Sequence, residues 1–221
     1  MSSPVSVIIP ALDEEQRIAA AIDSAFAAGA AEVIVADGGS SDATMAVARE
    51  RGARVVSGES MRSRQMNAGA RAASNEILIF LHADTRLPPN ACALVAQALG
   101  RGFVFGGFRV RFAETSWKLR VAAAMINLRT FFTRCPWGDQ AQFVRRESFA
   151  GFREIPIMED YELAVRMKRS GKTIVLPEKV TTSGRRFLDK GLVRTAAINW
   201  RIIVRYRLGG DPAELAKLYR L

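Results

Sequence analysis

The first hundred residues alternate short apolar runs with helical segments, and this alternation constrains the fold more than any other feature. The runs are rich in β-branched residues, as buried strands are, and they occupy residues 5–9, 32–36, 53–57 and 76–81. Strand–helix–strand units join parallel strands through right-handed crossovers. The sequence therefore predicts an α/β fold with a mostly parallel, Rossmann-like sheet flanked by helices.

The alternation is lost after residue 100. Strands are predicted at 104–112, 142–145, 172–177 and 179–184, with helices at 117–132 and 161–169 and a helical tail at 188–208 and 212–219. No linker or internal repeat divides the chain. We expect a single domain over 1–221, made of an α/β half (1–100), a smaller mixed half (101–187) and a helical C-terminal tail (188–221).

The positive charge is concentrated near the C-terminus. The formal net charge is +10, and residues 161–221 contain 14 Lys and Arg against 5 Asp and Glu. Four basic residues of the tail are spaced to share one helix face: Lys190, Arg194, Arg201 and Arg205. A basic amphipathic helix can lie on an anionic membrane surface. The alternative is a helix docked on the core with a solvated basic edge.

Several classes of protein are disfavoured. Two cysteines exclude a disulfide-rich scaffold and a four-cysteine zinc site, and favour free buried thiols in a reducing cytoplasm. The apolar runs are far shorter than the roughly 20 residues of a membrane span. The start of the chain lacks a basic segment and Pro10 interrupts its apolar run, so no signal peptide is predicted. We expect a cytoplasmic protein that could touch the inner face of the membrane.

Acidic residues follow three of the predicted strands. In an open parallel sheet, ligands bind at the carboxyl ends of the strands. The segments there are 10–14 (PALDE), 37–42 (DGGSSD) and 82–84 (HAD). Carboxylates suit base and ribose hydrogen bonds or a divalent cation better than they suit phosphate. Asp13 and Asp42 are expected to cap turns or helices, whereas Asp37 and Asp84 directly follow buried strands.

The order and spacing of four motifs resemble family 2 glycosyltransferases of the GT-A fold. The motifs are VSVIIPALDEEQRI (5–18), VADGGSSDAT (35–44), FLHADT (80–85) and MEDYEL (158–163). The resemblance extends from about residue 5 to residue 186. RSRQMNAGA (62–70) and GDQAQFVRR (138–146) are similar to a small bacterial branch of that family without a transmembrane tail.

The resemblance implies a nucleotide-binding half at 1–100. Its residues there would be Pro10, Ala11, Leu12, Glu14, Asp37, Gly38, Arg64, Ala83 and Asp84. Asp37 would hydrogen-bond the base, and Arg64 would lie near base or phosphate. Asp84 matches the last position of the DxD motif and would bind Mn²⁺ or Mg²⁺. The donor would be a UDP- or GDP-sugar.

The DxD motif departs from the family pattern, because His82 replaces its first carboxylate. Imidazole ligates Mn²⁺ but suits Mg²⁺ poorly. The alternative is that His82, the single histidine of the sequence, hydrogen-bonds a ribose or neighbouring backbone.

The resemblance also implies an acceptor and catalytic half at 101–187. Asp160 matches the family's catalytic base and stands beside Glu159, although acidic residues at a helix start also favour the helix itself. An acceptor loop would comprise Trp137, Gly138, Asp139 and Gln140, or these residues form a turn with Trp137 in the core. Arg185 and Arg186 would lie near diphosphate or acceptor, with one of the two facing the site.

The sequence thus predicts an inverting transfer of sugar to an acceptor hydroxyl, with a carboxylate as general base. A polyprenyl phosphate at the membrane is an alternative acceptor, and it would need no base because it is already ionised. Two other classes remain open: a non-catalytic nucleotide-binding protein, and a nucleic-acid-binding protein. The nearly neutral first 160 residues carry no nucleic-acid module, so no nucleic-acid partner is expected.

Overall fold

The strands predicted in the first half are present in the computed structural model, which describes residues 3–220. Eight strands form one sheet in that range: β1 (Val5–Ala11), β2 (Glu32–Asp37), β3 (Arg54–Ser57), β4 (Ile77–Phe80), β5 (Thr85–Arg86), β6 (Phe105–Phe112), β7 (Phe143–Arg145) and β8 (Thr173–Thr182). The α-helices of the same range are α1 (Ile18–Ala27), α2 (Thr44–Glu50), α3 (Arg62–Ala72), α4 (Ala91–Gly100), α5 (Trp117–Thr133), α6 (Glu159–Ser170), α7 (Arg185–Lys190), α8 (Leu192–Arg207) and α9 (Pro212–Arg220).

The sheet has the order β3-β2-β1-β4-β7-β6-β8-β5. Strands β3, β2, β1 and β4 are parallel, as the strand–helix alternation predicts. Strand β7 is antiparallel to both β4 and β6, and β8 is parallel to β6. A parallel first half and a mixed second half therefore share one continuous sheet.

The core lies on both faces of this sheet. On β1, Val7 and Ile9 face one cluster that includes α1 and α4, and Ile8 faces another that includes α3 and α6. All three side chains are fully buried. Successive side chains of a strand point to opposite faces, so an uninterrupted apolar run is the pattern expected of a strand covered on both sides.

Acidic residues are favoured in the first turn of a helix, so the sequence predicts that residues 13–15 begin the first helix, but the helix starts later. The acidic residues 13–15 precede α1 rather than forming its first turn, which starts at Ile18. Asp13 has a positive φ of 53°, and the Glu14 carbonyl accepts hydrogen bonds from the amides of Arg17 and Ile18. This left-handed residue turns the chain away from β1 before the helix can start.

The two short strands predicted at 172–177 and 179–184 are one strand, β8. Its pairing with β6 shifts register between Phe108 and Arg109, which face Leu176 and Lys179. Pro177 and Glu178 form the irregularity. Because proline cannot donate to a ladder, a bulge accommodates it without ending the strand.

The predicted continuous helix at 188–208 is also wrong. Gly191, with a φ of +81°, separates α7 from α8. Arg185 and Arg186 are the first two residues of α7. Within residues 3–220, no helix combines the length and apolar character needed to cross a bilayer.

Candidate active site

A cavity of about 350 Å³ lies beyond the carboxyl ends of β4 and β8. Its walls come from the turn at Gly138–Gln140, the start of α6 and the tail helices. It brings together six of the predicted site residues: His82, Asp84, Trp137, Asp139, Asp160 and Arg186. These residues are far apart in the sequence, and the mixed half of the sheet places them around one space.

Asp160 is held at the first turn of α6. One carboxylate oxygen, Oδ2, accepts a hydrogen bond from the Gly138 amide at 2.7 Å, and Oδ1 accepts one from the Tyr161 amide at 2.7 Å. The Asp160 carbonyl accepts a bond from the buried Gln142 side chain at 2.8 Å. Each carboxylate oxygen keeps a second lone pair, so the group is fixed in place and can still accept a proton.

Gly138 allows the turn to approach both β4 and α6. A Cβ atom at this position would lie 2.7 Å from Nε2 of His82 and 3.1 Å from Oδ2 of Asp160. Any side chain there would displace the imidazole or the carboxylate. Close packing, rather than a special φ, is therefore the reason for glycine at this point.

His82 and Asp84 follow β4. Burial and the nearby charge of Arg62 lower the pKa of His82 to about 4, against the opposing effects of Asp84 and Asp160. The imidazole is therefore neutral near pH 7. Asp84 accepts a hydrogen bond from the Thr85 hydroxyl at 3.2 Å through Oδ1, while its Oδ2 lies 3.9 Å from Arg185.

No group of three His, Cys, Asp or Glu side chains is arranged to hold a metal within residues 3–220. A cation shared with a diphosphate needs only one or two protein ligands, because phosphate and water oxygens complete its shell. One carboxylate beside one neutral imidazole fits that kind of site.

Arg62 is a cavity residue that the sequence reasoning missed. It opens α3, and its Nε donates to Glu159, whose side chain is 1% exposed. Burial opposes the charge on Arg62, but Glu159 and Asp160 outweigh it and raise the pKa of Arg62 above its usual range. Glu159 thus lies behind the cavity as the counter-ion of Arg62.

Arg64, which the sequence placed near base or phosphate, lies outside the cavity. It forms ion pairs with Glu59 and Glu154. Arg62 and Arg64 are two positions apart on a helix and therefore point in different directions. Because the two arginines of RSR (62–64) must point in different directions, the sequence could have suggested Arg62 as a site residue as well as Arg64.

Arg129 is the second residue that sequence reasoning missed. Its guanidinium stacks over the Trp137 ring at 3.5 Å and donates to Oε1 of Gln140 at 3.1 Å. Gln140 is fully buried and ties the turn to β6 through the Phe108 carbonyl. Arg129 is in the interior of α5, whose charge pattern carries no recognisable motif.

Asp139 lines the same part of the cavity. Burial and the nearby Asp160 raise the pKa of Asp139 to about 6, against the opposing effect of Arg129. Its Oδ1 atom is buried and has no hydrogen-bond partner among residues 3–220. An unpartnered acceptor in a polar cavity is available to a ligand hydroxyl.

Arg186 reaches the cavity from α7. Its guanidinium lies 3.3 Å from the centre of the Tyr219 ring and donates to the Tyr219 carbonyl. Burial lowers the pKa of Arg186 to about 10, and its Nε has no hydrogen-bond partner in the described part of the chain. Its neighbour Arg185 is half-exposed beside Asp84.

Of the residues predicted for the nucleotide, those at the ends of β1 and β2 do not line this cavity. Both oxygens of the buried Asp37 carboxylate are engaged, by the amides of Gly39 and Ser40 and by the Ser40 hydroxyl. Asp13 accepts from the Ser41 amide at 2.8 Å, and the Glu14 amide donates to Thr44. Hydrogen bonds therefore join these two loops.

The backbone of the β1 end is tightly surrounded. The Ala11 carbonyl accepts hydrogen bonds from the Gly38 amide at 2.9 Å and from Gln65 at 2.8 Å. A Cβ on Gly38 would collide with Gln65. Pro10 and Ala83 are buried, whereas Leu12 is 44% exposed and could cover a ligand.

Comparisons with known structures agree with this architecture. Glucosyl-3-phosphoglycerate synthase from Mycobacterium tuberculosis, solved with Mn²⁺, UDP and glucosyl-3-phosphoglycerate, matches with a TM-score of 0.65 and 21% identity, over 95% of this chain and 81% of that one. TarS from S. aureus matches with a TM-score of 0.63 and 16% identity, over 88% of this chain and 39% of TarS. A mycobacterial protein matches with a TM-score of 0.59 and 24% identity, over 82% of this chain and 65% of that one.

No curated protein matches the sequence. The family model described as glycosyl transferase family 2 matches residues 6–159, which is more than half of the chain. The match includes the first motif except Val5, the second and third motifs, and the start of the fourth. With the GT-A architecture of its structural neighbours, this match shows that the chain belongs to glycosyl transferase family 2 and is a glycosyltransferase.

Proposed function

We propose that the protein transfers a sugar from a nucleoside-diphosphate sugar to an acceptor hydroxyl with inversion at the anomeric carbon. The observation that carries the proposal is the convergence of Asp160, Asp84 and three arginines, Arg62, Arg129 and Arg186, on one cavity. Both signs of charge are needed, because the leaving diphosphate gains negative charge while the acceptor loses a proton.

In the proposed reaction, the acceptor oxygen forms a bond to the anomeric carbon as the bond from that carbon to the diphosphate oxygen breaks. Asp160 accepts the acceptor's proton. Its two backbone hydrogen bonds hold the carboxylate at the cavity wall, which supports a role as a positioned base. A single displacement requires one base and no covalent intermediate.

The guanidiniums of Arg62, Arg129 and Arg186 would bind the diphosphate oxygens. Asp84 and His82 would hold a divalent cation, which when bound would offset the negative charge of the leaving group. Glucosyl-3-phosphoglycerate synthase has been solved with UDP and Mn²⁺ and with UDP and Mg²⁺, which supports this donor class and cofactor. The loops at Pro10–Glu14 and Asp37–Gly38 would hold base and ribose.

The acceptor side of the cavity would be formed by Trp137 and Asp139. An aromatic ring beside an unpartnered carboxylate oxygen is suited to a polyhydroxylated ring, through stacking and a hydrogen bond. Gly138 and Gln140 would fix the loop rather than contact the acceptor. Arg185, half-exposed beside Asp84, would lie at the edge of the diphosphate site.

A thermal-shift panel tests the donor assignment. UDP-, GDP- and dTDP-sugars are each added with and without Mn²⁺ or Mg²⁺. A ligand at 100 times its Kd stabilises the fold by about 2.7 kcal/mol. We expect a cation-dependent rise in Tm with one nucleotide class. Asp84→Ala should abolish the cation dependence, and Asp23→Ala, on the exposed surface of α1, should retain it.

Absence of a shift with every donor would contradict the proposal. Product release is then measured for wild type and Asp160→Asn with simple sugars and with a polyprenyl phosphate as acceptors. An Asp160→Asn protein that keeps full turnover would favour a phosphate acceptor, such as a polyprenyl phosphate, because an ionised nucleophile needs no base.

A further inference from the structure

The outward face of α5 is apolar. Five large side chains on it are between 41% and 74% exposed: Trp117, Val121, Met125, Leu128 and Phe132. Their spacings of four, four, three and four residues place them in one stripe along the helix. The opposite side holds the buried Leu119 and Ala122. A helix at the surface normally has a polar outer face, so this stripe indicates an interaction surface.

A second exposed apolar stripe runs along α8. Val193, Trp200 and Val204 are 81%, 67% and 36% exposed, with spacings of seven and four residues. The inner face of the same helix holds the buried Thr195 and Ile202. Two helices that pack against each other thus both expose large apolar side chains.

Basic residues accompany the α8 stripe. Arg194, Arg201 and Arg205 each follow one of its apolar residues directly and are exposed. One residue corresponds to about 100° around a helix, so a positive stripe runs beside the apolar one. The pairing of apolar and basic stripes is typical of helices that lie in the interface of an anionic membrane.

We propose that the outer faces of α5 and α8 dock the protein onto the surface of an anionic lipid bilayer. Charge decides between the candidate occupants. A second copy of the chain would bring two positive stripes towards each other in a protein whose net charge is +10. An anionic bilayer surface attracts the arginines and also buries the apolar side chains, including two tryptophans, the residue type favoured at such interfaces.

The docking surface is connected to the cavity by the same two helices. Ile126 and Arg129 of α5 and Asn199 and Ile203 of α8 line the cavity. A bilayer held by the outer faces would lie about one helix diameter, roughly 10 Å, from this lining. Docking goes beyond the proposed transfer reaction and can be tested without turnover.

Vesicle flotation of the full chain tests this proposal. Phosphatidylcholine vesicles are compared with vesicles that also contain roughly 30% phosphatidylglycerol, at low and at high salt, because a charged surface acts within a Debye length. We expect flotation with the anionic vesicles at low salt and a blue shift of tryptophan fluorescence on binding. Binding to phosphatidylcholine alone should be at least about tenfold weaker.

Paired variants identify the surface. Arg201→Glu with Arg205→Glu should lower partitioning at least about tenfold, and Trp117→Ser with Phe132→Ser should lower it by a similar factor. Arg71→Glu with Arg101→Glu makes the same change in charge in the first half of the chain, and Phe26→Ser removes an exposed apolar side chain from α1. Both controls should bind as the wild type does.

Failure to float with anionic vesicles would overturn the proposal, as would equal losses in the test and control variants. Sedimentation velocity adds a further outcome. A wild-type dimer that dissociates on Trp117→Ser with Phe132→Ser, without vesicle binding, would show that the face is an interface between two copies of the chain.

Discussion

The loops at the ends of β1 and β2 differ from the cavity in how their polar groups are satisfied. At the loops, Asp37 and Asp13 accept hydrogen bonds from neighbouring amides and hydroxyls. In the cavity, three buried atoms have no hydrogen-bond partner among the residues that the structure describes: Arg129 Nε, Asp139 Oδ1 and Arg186 Nε. The carboxylates of the loops are hydrogen-bonded without a ligand, whereas the cavity contains polar atoms that a ligand could bond.

This difference suggests that the polar groups of the loops contribute to stability and those of the cavity contribute to chemistry. A satisfied hydrogen bond adds roughly 0.5–1.5 kcal/mol to stability, and a buried group left without a partner costs about 1–3 kcal/mol. A fold that keeps three such groups in one cavity gives up stability there. Sites with that property are commonly functional, so substitutions in the two regions should affect different measurements.

The largest expected effect is on turnover in Asp160→Asn. Removing a general base lowers rates by about 10²- to 10⁴-fold. The amide oxygen of asparagine can still accept from Gly138, but its nitrogen faces the Tyr161 amide, so stability should fall by about 1–3 kcal/mol while the Kd of the donor stays close to wild type. Steady-state kinetics with a thermal melt check this. An equal loss of stability and activity would indicate a structural role.

Gly138→Ala should also lower turnover, by roughly 10²-fold, because displacement of reacting groups by about 1 Å has effects of that size. Its Cβ would press on His82 and Asp160. Gly39→Ala, in the first region, is the matched control. Gly39 has a φ of +95° and open space around it, so the alanine costs roughly 1–2 kcal/mol of stability and affects turnover far less. Similar losses of turnover in Gly138→Ala and Gly39→Ala would contradict the difference between the cavity and the loops.

Asp37→Asn should lower the free energy of unfolding by about 1–3 kcal/mol, because one of its two acceptor oxygens becomes an amide donor facing other donors. Its kcat at saturating donor should fall far less than that of Asp160→Asn. Urea denaturation measures the first quantity. A variant as stable as the wild type would mean that the loop does not depend on this carboxylate.

The smallest expected effect concerns Asp139 and pH. Its pKa of about 6 in the folded protein is above the usual 3.8, so the folded state binds more protons than the unfolded state between these values. Stability of the wild type therefore falls as pH rises from about 4 to 6. Asp139→Asn lacks this loss, and its Tm relative to wild type should increase by a few degrees across that window.

Scanning calorimetry of both proteins at several pH values measures the difference. Asp23→Asn controls for the removal of an exposed carboxylate. A constant difference in Tm between pH 4 and pH 7 for Asp139→Asn would show that Asp139 is not buried in the way described.

The parallel half of the fold could be predicted because its signal is local. A short apolar run such as residues 5–9 is typical of a strand buried on both faces. The helices between successive runs predict that neighbouring strands are parallel. The tail was harder to predict. The break at Gly191 depends on one residue with positive φ in an otherwise continuous helical pattern, and glycine within such a pattern is often tolerated.

The candidate site divides in the same way. Asp84, Asp160 and Asp37 follow strands or begin helices, where position along the chain already suggests a role. Arg62 and Arg129 have no such signal, because what brings them to the cavity is the packing of α3 and α5 against distant parts of the chain. The sequence also could not show that Glu159 is committed to Arg62, since the two residues are 97 positions apart.

The order of strands in the sheet has a consequence for how the protein forms during synthesis. Strand β7 lies between β4 and β6, yet it follows both of them in the chain. A nascent chain that ends at Thr133 can pair the four strands β1, β2, β3 and β4 with one another. Strand β6 cannot join their sheet at that point, because β7, which lies between β4 and β6, has not yet been made. Non-local pairing of this kind slows folding, and the edge of β6 that pairs with β7 has no partner until Phe143–Arg145 are made.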